Sequence, residues 1–279
     1  MTHITAVAPV HNEEGNIDEL VSRLAAALGA ISPNYRIVLV DDGSRDATWT
    51  RLEAAARREP RLAALRFSRN FGQHTAITAG LDHTDSDWTV VLDGDLQDRP
   101  EVIPDLYAEA IKGYDIVFVE RQRRPEGALY QALQRLFYWT LRTLTGGQYD
   151  ATHGNFSIIA RRVLTEYKRL GERARFYGGL IEWLGFTRSS VKARHGARHS
   201  GRPSYNFLKR LTFAKQIILS FTTRPLDLTL GLGLAITVTA FAFGLYVLLR
   251  ALFFGYPIEG WASLMVSIYF LGGVQMIML

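Results

Sequence analysis

Through the first two hundred residues, short apolar runs alternate with longer stretches whose apolar residues recur every three or four positions. The short runs predict buried strands, and the longer pattern predicts amphipathic helices. The predicted strands are Ile4–Val10, Arg36–Val40, Leu62–Phe67, Thr89–Leu92, Asp115–Val119 and Asn155–Ala160, and the predicted helices are Ile17–Leu28, Asp46–Arg58, Thr75–His83, Pro100–Ile111 and Ala128–Leu144. This alternation is typical of an α/β domain with a doubly wound, mostly parallel sheet, which we expect over residues 1–203.

The apolar pattern changes towards the C-terminal end of the sequence. Leu228–Leu249 is a run of 22 residues without a charge. As a helix with a rise of ~1.5 Å per residue it would extend about 33 Å, enough to cross a bilayer. Trp261–Leu279 is a second uncharged run, separated from the first by a short polar turn. A buried hairpin of a soluble protein is the alternative, but length and lack of charge favour two transmembrane helices over residues 226–279.

The net charge of +5 is unevenly distributed. Residues 183–226 hold nine lysines and arginines and no acidic residue. Within this block, Tyr205–Phe221 has apolar residues near helical spacing and most of its cations off the apolar stripe. This pattern predicts an amphipathic juxtamembrane helix, residues 204–224, in the membrane interface; packing on the soluble domain is the alternative. We expect no nucleic-acid partner, because the block runs directly into an apolar span and carries no recognisable nucleic-acid module.

Charge and cysteine content also bear on localisation. Basic residues precede the first apolar span, whereas the turn between the spans has only Arg250 and Glu259 as charged residues. By the positive-inside rule, the protein is expected to be a multi-pass membrane protein whose N-terminal domain is cytoplasmic. The N-terminus lacks the basic and apolar regions of a signal peptide, so no cleavage is expected. There are no cysteines, which excludes disulfides and thiolate metal sites.

Polar clusters follow three of the predicted strands. They are Pro9, His11 and Glu13 after the first strand, Asp41 and Asp42 after the second, and Asp93, Asp95 and Gln97 after the fourth. In an open parallel sheet, ligands bind outside the carboxyl ends of the strands. Carboxylates can accept hydrogen bonds from a ribose or a base, and hard oxygen ligands suit Mg²⁺ or Mn²⁺ bridging to phosphates. Each cluster alone could be an acidic turn or, for Ser44 or Asp46, a helix cap. Together they predict one composite site for a nucleotide diphosphate.

Four segments carry a resemblance to a known family: PVHNEEGNI, VDDGSRDAT, FSRNFGQHTAITAGL and LDGDLQDRPE. They resemble the family 2 GT-A glycosyltransferases, and more narrowly the dolichyl- and undecaprenyl-phosphate glycosyltransferases. The likeness continues through GARHSGRPSYNFLKRL and both apolar spans. It implies a GT-A fold and transfer of a sugar, with inversion, from a UDP-sugar or GDP-sugar to a polyprenyl phosphate at the membrane, with Mg²⁺ or Mn²⁺. Because the family continues beyond the second span, we expect that span to be truncated here.

The resemblance also implies a role for each candidate residue. Pro9, His11, Glu13, Asp41 and Asp42 would hold the nucleoside, and Asp93, Asp95 and Gln97 would bind the ion. Asp95, Arg121, Arg124 and Asn155 would act in catalysis, and Arg121, Arg135, Arg198 and Arg202 would contact the acceptor phosphate. A solvated basic helix face is the alternative for Arg135. The formation of homo-oligomers is left open.

One departure from the family concerns residue 155. Relatives commonly have an acidic residue in a GDF segment, where this chain has His153, Gly154, Asn155 and Phe156. Asn155 cannot take a proton, but a phosphate monoester with a second pKa near ~6 is already ionised at neutral pH and needs no general base. Two other functions stay open: transfer to a hydroxyl of a lipid-linked or surface glycan, which needs a base, and binding of a nucleotide sugar without catalysis.

Overall fold

The computed structural model describes residues 2–121, 153–171, 176–193, 224–254 and 260–278. These residues fall into two compact units, one before residue 194 and one from residue 224 onwards. Each unit has its own secondary structure. The predicted helix Ala128–Leu144 and nearly all of the predicted interface helix, residues 204–224, lie outside the described residues.

The first unit alternates strands and helices in the predicted order. Its elements are β1 (Ile4–Val10), α1 (Ile17–Gly29), β2 (Tyr35–Asp41), α2 (Thr48–Arg58), β3 (Leu62–Arg66), α3 (Gln73–Asp82), β4 (Trp88–Val91), a 3-10 turn (Pro100–Val102), α4 (Ile103–Ala110), β5 (Ile116–Arg121), β6 (His153–Ala160), α5 (Arg161–Arg169), α6 (Tyr177–Trp183) and β7 (Arg188–Ala193). The six predicted strands are confirmed within two residues at each end. The sequence did not predict α5, α6 and β7.

The seven strands form one sheet in the order β3-β2-β1-β4-β6-β5-β7. β1 runs parallel to β2 and β4, β2 runs parallel to β3, and β5 runs parallel to β7. β6 is antiparallel to both of its neighbours, β4 and β5. The predicted α/β domain with a mostly parallel sheet is therefore confirmed. As a consequence, the carboxyl ends of β1, β2, β4 and β5 and the first residue of β6 reach the same edge of the sheet.

The core lies on both faces of the sheet. Every residue of β1 is buried, as expected for a parallel strand covered by helices on both sides. On one face, α1 contributes Ile17, Leu20, Leu24 and Leu28, which recur every three or four residues and have no exposed surface. On the other face α3 lies directly against β1, because Gly80 has no side chain to separate the helix from Val7.

The helix predicted for Pro100–Ile111 is divided in two. Pro100–Val102 is a 3-10 turn, and α4 begins only at Ile103. Pro104 lies in the first turn of α4, where its missing N–H group leaves no helical hydrogen bond unmade. A continuous helix from residue 100 would place that proline inside the helix, where an N–H donor is needed.

The second unit consists of two helices, α7 (Arg224–Phe254) and α8 (Trp261–Met278). The rings of Phe243 on α7 and Tyr269 on α8 meet edge to face, with centroids 5.8 Å apart. Among the described residues, only the segment Thr229–Val247 of α7 is long and apolar enough to cross a membrane. The apolar segment of α8, Ser263–Gly272, is shorter. The first predicted span is thus supported by length and composition, and the second stays a prediction.

Candidate active site

The loops that follow β1 and β2 are joined by hydrogen bonds. The backbone N–H of Asn12 donates to Ser44 Oγ at 2.9 Å, and the N–H of Arg45 donates back to Asn12 Oδ1 at 2.9 Å. The N–H of Glu13 donates to Thr48 Oγ1 at 2.8 Å. Asn12 has a φ of +56°, a left-handed conformation that asparagine tolerates better than most residues. These contacts hold the two predicted nucleoside-binding segments side by side, and they give Ser44 a role other than helix capping.

Asp46 lies two residues before α2, whose N-cap is Ala47, so the alternative interpretation of Asp46 as the helix cap is not confirmed, although its carboxylate bonds to the first residue of the helix. Its Oδ1 accepts a hydrogen bond from the backbone N–H of Thr48 at 3.0 Å. Burial acts to raise the pKa of Asp46, but the hydrogen bonds from Thr48 and from the backbone of Glu14 outweigh it, so that the pKa lies below its ordinary value. The carboxylate is therefore ionised at neutral pH, and its oxygens accept hydrogen bonds from neighbouring groups of the protein.

Asp41 is the last residue of β2 and has no exposed surface. Its Oδ1 accepts a hydrogen bond from the backbone N–H of Ser44 at 3.0 Å. Its Oδ2 has no hydrogen-bond partner among the described residues, and the nearest cation is Arg66, with Nε 3.7 Å away. Leaving a buried acceptor unsatisfied is costly, so this oxygen is suited to a donor group that a ligand brings.

Asp42 supports the loop between β3 and α3. It is 3% exposed, and its two oxygens accept hydrogen bonds from the backbone N–H groups of Phe71, at 2.7 Å, and Gly72, at 3.0 Å. The next residue, Gly43, has a φ of +64°, and a Cβ there would lie 2.7 Å from the backbone nitrogen of Asn70. Direct contact of Asp42 with a nucleoside stays a prediction, and the structure adds a positioning role.

A cleft of about 830 Å³ opens between the loops that follow β1, β2 and β3. Its lining includes His11, Asn12, Ser44, Arg45, Arg66 and Arg69. The guanidinium of Arg66 lies 5.3 Å from the ring centre of Trp49, and that of Arg69 lies 4.1 Å from the ring centre of Phe71. These cation–π contacts hold positive charge at the cleft. Arg66 is the last residue of β3, and Arg69 lies in the loop that follows it, within the segment FSRNFGQHTAITAGL. Their position at the end of this strand was a signal that could have identified them.

The turn after β4 carries the three predicted metal ligands. The backbone N–H of Asp93 donates to Asp98 Oδ2 at 3.2 Å, and that of Gln97 donates to Asp95 Oδ1 at 3.1 Å. Leu96, at the centre of the turn, has a φ of +61° and is 2% exposed. A non-glycine residue in this conformation costs of order 1–3 kcal/mol, and here the burial of the leucine side chain in the core offsets that cost. Leu96 thus fixes the shape of the turn, a role that its sequence context does not reveal.

The donor set of this turn fits a divalent ion that is shared with a ligand. Asp93, Asp95 and Gln97 offer two carboxylates and an amide carbonyl, which are hard oxygen ligands of the kind that Mg²⁺ and Mn²⁺ prefer. Over the described part of the chain, no group of three or more histidine, cysteine, aspartate or glutamate side chains is arranged to hold an ion. Two carboxylates without a complete cage suit an ion that completes its coordination with water and phosphate oxygens.

Two amide side chains converge on one oxygen of Asp93. Gln73 Nε2, on the first residue of α3, donates a hydrogen bond to Asp93 Oδ1. Asn155 Nδ2, on β6, lies 3.5 Å from the same oxygen. The antiparallel direction of β6 brings residue 155 to the edge where β4 ends. The structure therefore places the predicted Asn155 beside the predicted metal turn, together with Gln73, which the sequence did not single out.

His74 is a second residue of this region that the sequence did not identify. Its ring packs edge to face on Phe176, with centroids 4.6 Å apart. Burial lowers the pKa of His74 to about 4, because the charged imidazolium would lose its hydration. The imidazole is therefore neutral at physiological pH, and it packs the start of α3 rather than carrying charge.

The remaining candidates are the arginines. Arg121 is the last residue of β5, so its backbone reaches the same edge of the sheet as Asp41 and Val91. Four others lie outside the described residues: Arg124, Arg135, Arg198 and Arg202. Their roles stay predictions.

Comparisons with known proteins agree with this architecture. Residues 5–167 match glycosyl transferase family 2. The chain is 35% identical over 275 residues to the bactoprenol glucosyl transferase of Shigella phage SfV, covering 98% of this chain and 90% of that protein. It is 32% identical over 277 residues to an undecaprenyl-phosphate 4-deoxy-4-formamido-L-arabinose transferase of Shewanella sediminis, covering 98% and 84%.

A solved structure with the same fold is glucosyl-3-phosphoglycerate synthase of Mycobacterium tuberculosis, crystallised with Mn²⁺, UDP and phosphoglyceric acid. It aligns with a TM-score of 0.57 at 20% identity, over 78% of this chain and 76% of the synthase. The fold is thus of the GT-A type. From the family match and the extent of its relatives' similarity, the chain belongs to glycosyl transferase family 2 and is a glycosyltransferase.

Proposed function

We propose that this glycosyltransferase moves a sugar from a nucleotide sugar, a UDP-sugar first and a GDP-sugar as the alternative, to a polyprenyl phosphate. The observation that carries the proposal is the buried Oδ2 of Asp41, which has no hydrogen-bond partner among the described residues. It lies at the edge of the sheet where the Asp93–Asp95 turn also begins. The relatives named as bactoprenol and undecaprenyl-phosphate sugar transferases support the choice of acceptor.

The donor would bind across the ends of three strands. The nucleoside would lie in the cleft beside Pro9, His11 and Glu13, with its N–H group donating to Asp41. Its diphosphate would lie beside Asp93, Asp95 and Gln97. A Mg²⁺ or Mn²⁺ ion bound there would neutralise the charge that develops on the departing nucleoside diphosphate. Asp42 would act on the same ligand indirectly, through the loop that it holds.

The acceptor chemistry follows from the groups around Asn155. An oxygen of the acceptor phosphate would attack the anomeric carbon while the bond from that carbon to the diphosphate breaks, which inverts the configuration. The phosphate oxygen is already ionised at neutral pH, so no side chain has to remove a proton. An amide at position 155 is compatible with that reaction and unsuited to activating a hydroxyl. Arg121, Arg124, Arg135, Arg198 and Arg202 are proposed to bind the phosphate, since guanidinium groups match its geometry.

The lipid acceptor requires that the domain work at a membrane. We propose that α7 and α8 both span the bilayer and that residues 204–224 lie in its interface, with the catalytic domain cytoplasmic. The segment Thr229–Val247 supports the first span. Most of its exposed side chains are apolar, for example Val238 and Phe241, which are 61% and 70% exposed. A lipid environment would bury such surface.

The test is transfer of radiolabelled sugar by the full chain in detergent. The protein is incubated with undecaprenyl phosphate, Mn²⁺ and each of a panel of UDP- and GDP-sugars, and lipid-soluble label is measured. We expect one donor to yield a glycolipid that mild acid cleaves, and Asp95→Ala to abolish it. Label found only on a glycan hydroxyl would favour the alternative acceptor. Donor binding without any transfer would favour a nucleotide-sugar binding protein.

A further inference from the structure

We propose that Gln73 is a positioning residue that orients the carboxylate of Asp93 for the divalent ion and links the nucleoside loop to the ion site. The inference rests on the proposed function, because it concerns the ion that the donor diphosphate would share. Its basis is the hydrogen bond from Gln73 Nε2 to Asp93 Oδ1, with Asn155 Nδ2 at 3.5 Å from the same oxygen.

The chemistry of a glutamine suits this position. A carboxylate that rotates freely presents its oxygens to an ion in many directions, and a hydrogen bond to one oxygen restricts that rotation. A lysine or arginine could donate the same bond but would repel the incoming cation. A glutamate would remove this donor from the oxygen and add negative charge before the ion arrives. An amide orients the carboxylate without either electrostatic effect.

Gln73 is itself held by the nucleoside side of the site. It is the first residue of α3, and the residue before it, Gly72, has a φ of +96° that a side chain would disfavour. The N–H of Gly72 donates to Asp42 Oδ2 at 3.0 Å. The same loop contributes Arg69 to the wall of the cleft. A short path therefore runs from the cleft through Gly72 and Gln73 to Asp93.

The path has a functional consequence for the order of binding. A nucleotide that fixes the conformation of the loop between β3 and α3 also fixes the position of Gln73, which orients Asp93. The ion should therefore bind more tightly once the nucleotide is present, and by linkage the nucleotide should bind more tightly once the ion is present. Removing the amide of Gln73 should weaken this coupling without removing either binding site.

The test compares Gln73→Met with wild type in two calorimetric titrations. In the first, Mn²⁺ is titrated into protein saturated with UDP. In the second, UDP is titrated into protein without metal. Methionine keeps the length and helix propensity of glutamine but has no N–H donor. We expect Mn²⁺ affinity to fall about tenfold, the size of one charge-assisted hydrogen bond. UDP affinity without metal and the melting temperature without ligands should be unchanged.

Thr75→Val is the matched control. Thr75 lies on the same first turn of α3, and its hydroxyl bonds only to the carbonyl of Phe71 among the described contacts. The Thr75→Val variant should bind Mn²⁺ as tightly as wild type does. Equal Mn²⁺ affinity in wild type and Gln73→Met would overturn the inference while leaving the proposed function intact. If wild type itself bound neither UDP nor Mn²⁺ with UDP, the proposed function would fail first.

Discussion

Gly94 lies so close to Pro9 that a Cβ on residue 94 would come within 2.6 Å of the Pro9 carbonyl oxygen and 2.5 Å of Val10 Cγ1. Real side chains do not approach a backbone oxygen at that distance. This contact joins the segment predicted to bind the nucleoside to the turn predicted to bind the ion. The glycine between the two aspartates therefore serves packing as well as turn geometry.

Gly94→Ala should shift the turn that carries Asp93 and Asp95. Since neither the strand end nor the turn can move freely, we expect a loss of about 1–3 kcal/mol in the free energy of unfolding, as for other overpacked sites. Binding of Mn²⁺ with UDP should weaken as well. Thermal unfolding with and without Mn²⁺ and UDP measures both effects. Gly171→Ala is the control, because no atom of the described residues, apart from its chain neighbours, lies within 4 Å of the added Cβ. A similar loss there would contradict the packing argument.

Asp41→Asn tests the buried acceptor. The amide would keep the space and the bond from the Ser44 N–H, but it could present an N–H group where a ligand donor is expected to arrive. We expect UDP affinity to fall at least about tenfold, or roughly 1.4 kcal/mol, with the melting temperature nearly unchanged. Calorimetry on the variant measures this. Asp85→Asn is the control, since Asp85 is an exposed residue paired with Arg161. UDP binding to Asp41→Asn at wild-type strength would exclude a ligand at this oxygen.

The substitution Asn155→Asp should make the stability of the protein depend more strongly on the bound ion. It places a carboxylate where Asn155 Nδ2 now lies 3.5 Å from Asp93 Oδ1. Two like charges about 4 Å apart repel by ~1 kcal/mol in water and ~4 kcal/mol at an effective dielectric constant of about 20. The ion-free variant should melt below wild type, and Mn²⁺ should raise its melting temperature more than that of wild type. Asn155→Ala, which adds no charge, should lack the enlarged response. An equal response to Mn²⁺ in Asn155→Asp and wild type would argue against an ion near residue 155.

His74 makes stability depend on pH in a defined direction. Its folded pKa of about 4 lies below its ordinary value of 6.5, so between these values the unfolded state binds more protons. The stability that neutral His74 provides is complete above about pH 6.5 and is lost as the pH falls towards 4. The loss should reach about 2–3 kcal/mol near pH 4.5. Denaturant unfolding of wild type and His74→Phe at pH 7.5 and 4.5 measures it. The variant should lose less stability than wild type over this range, and equal losses would contradict the assignment.

The strands could be predicted because each of them is itself a short apolar run in the sequence. β1 is an apolar run interrupted only by Thr5. The polar residues that follow β1, β2 and β4 must meet at one edge once those strands are parallel. The antiparallel direction of β6 was not predictable, because a single strand carries no mark of its neighbour's direction. Because β6 runs antiparallel to β4, Asn155 reaches Asp93. The start of α4 next to Pro104 could have been predicted, since proline favours the first turn of a helix.

The positioning residues could not be found from sequence. Asp42 looked like a ligand, and only the structure shows its oxygens on the backbone N–H groups of Phe71 and Gly72. Leu96 reads as an ordinary apolar residue, yet it holds a left-handed conformation in the metal turn. Gln73 contacts Asp93 across 20 positions of sequence. Such contacts arise only when the chain is folded, and no local pattern encodes them.

Asp93 and Asp95 are proposed to hold a divalent ion beside a nucleotide diphosphate. A crystal of the full chain grown with UDP and Mn²⁺, with diffraction recorded at the manganese absorption edge, tests it most directly. We expect one anomalous peak in coordination contact with both carboxylates and with the diphosphate, and we expect the uracil N–H to donate to Asp41 Oδ2. A bound nucleotide with no peak at this turn, or with the peak on other residues, would show that Asp93 and Asp95 do not hold the ion.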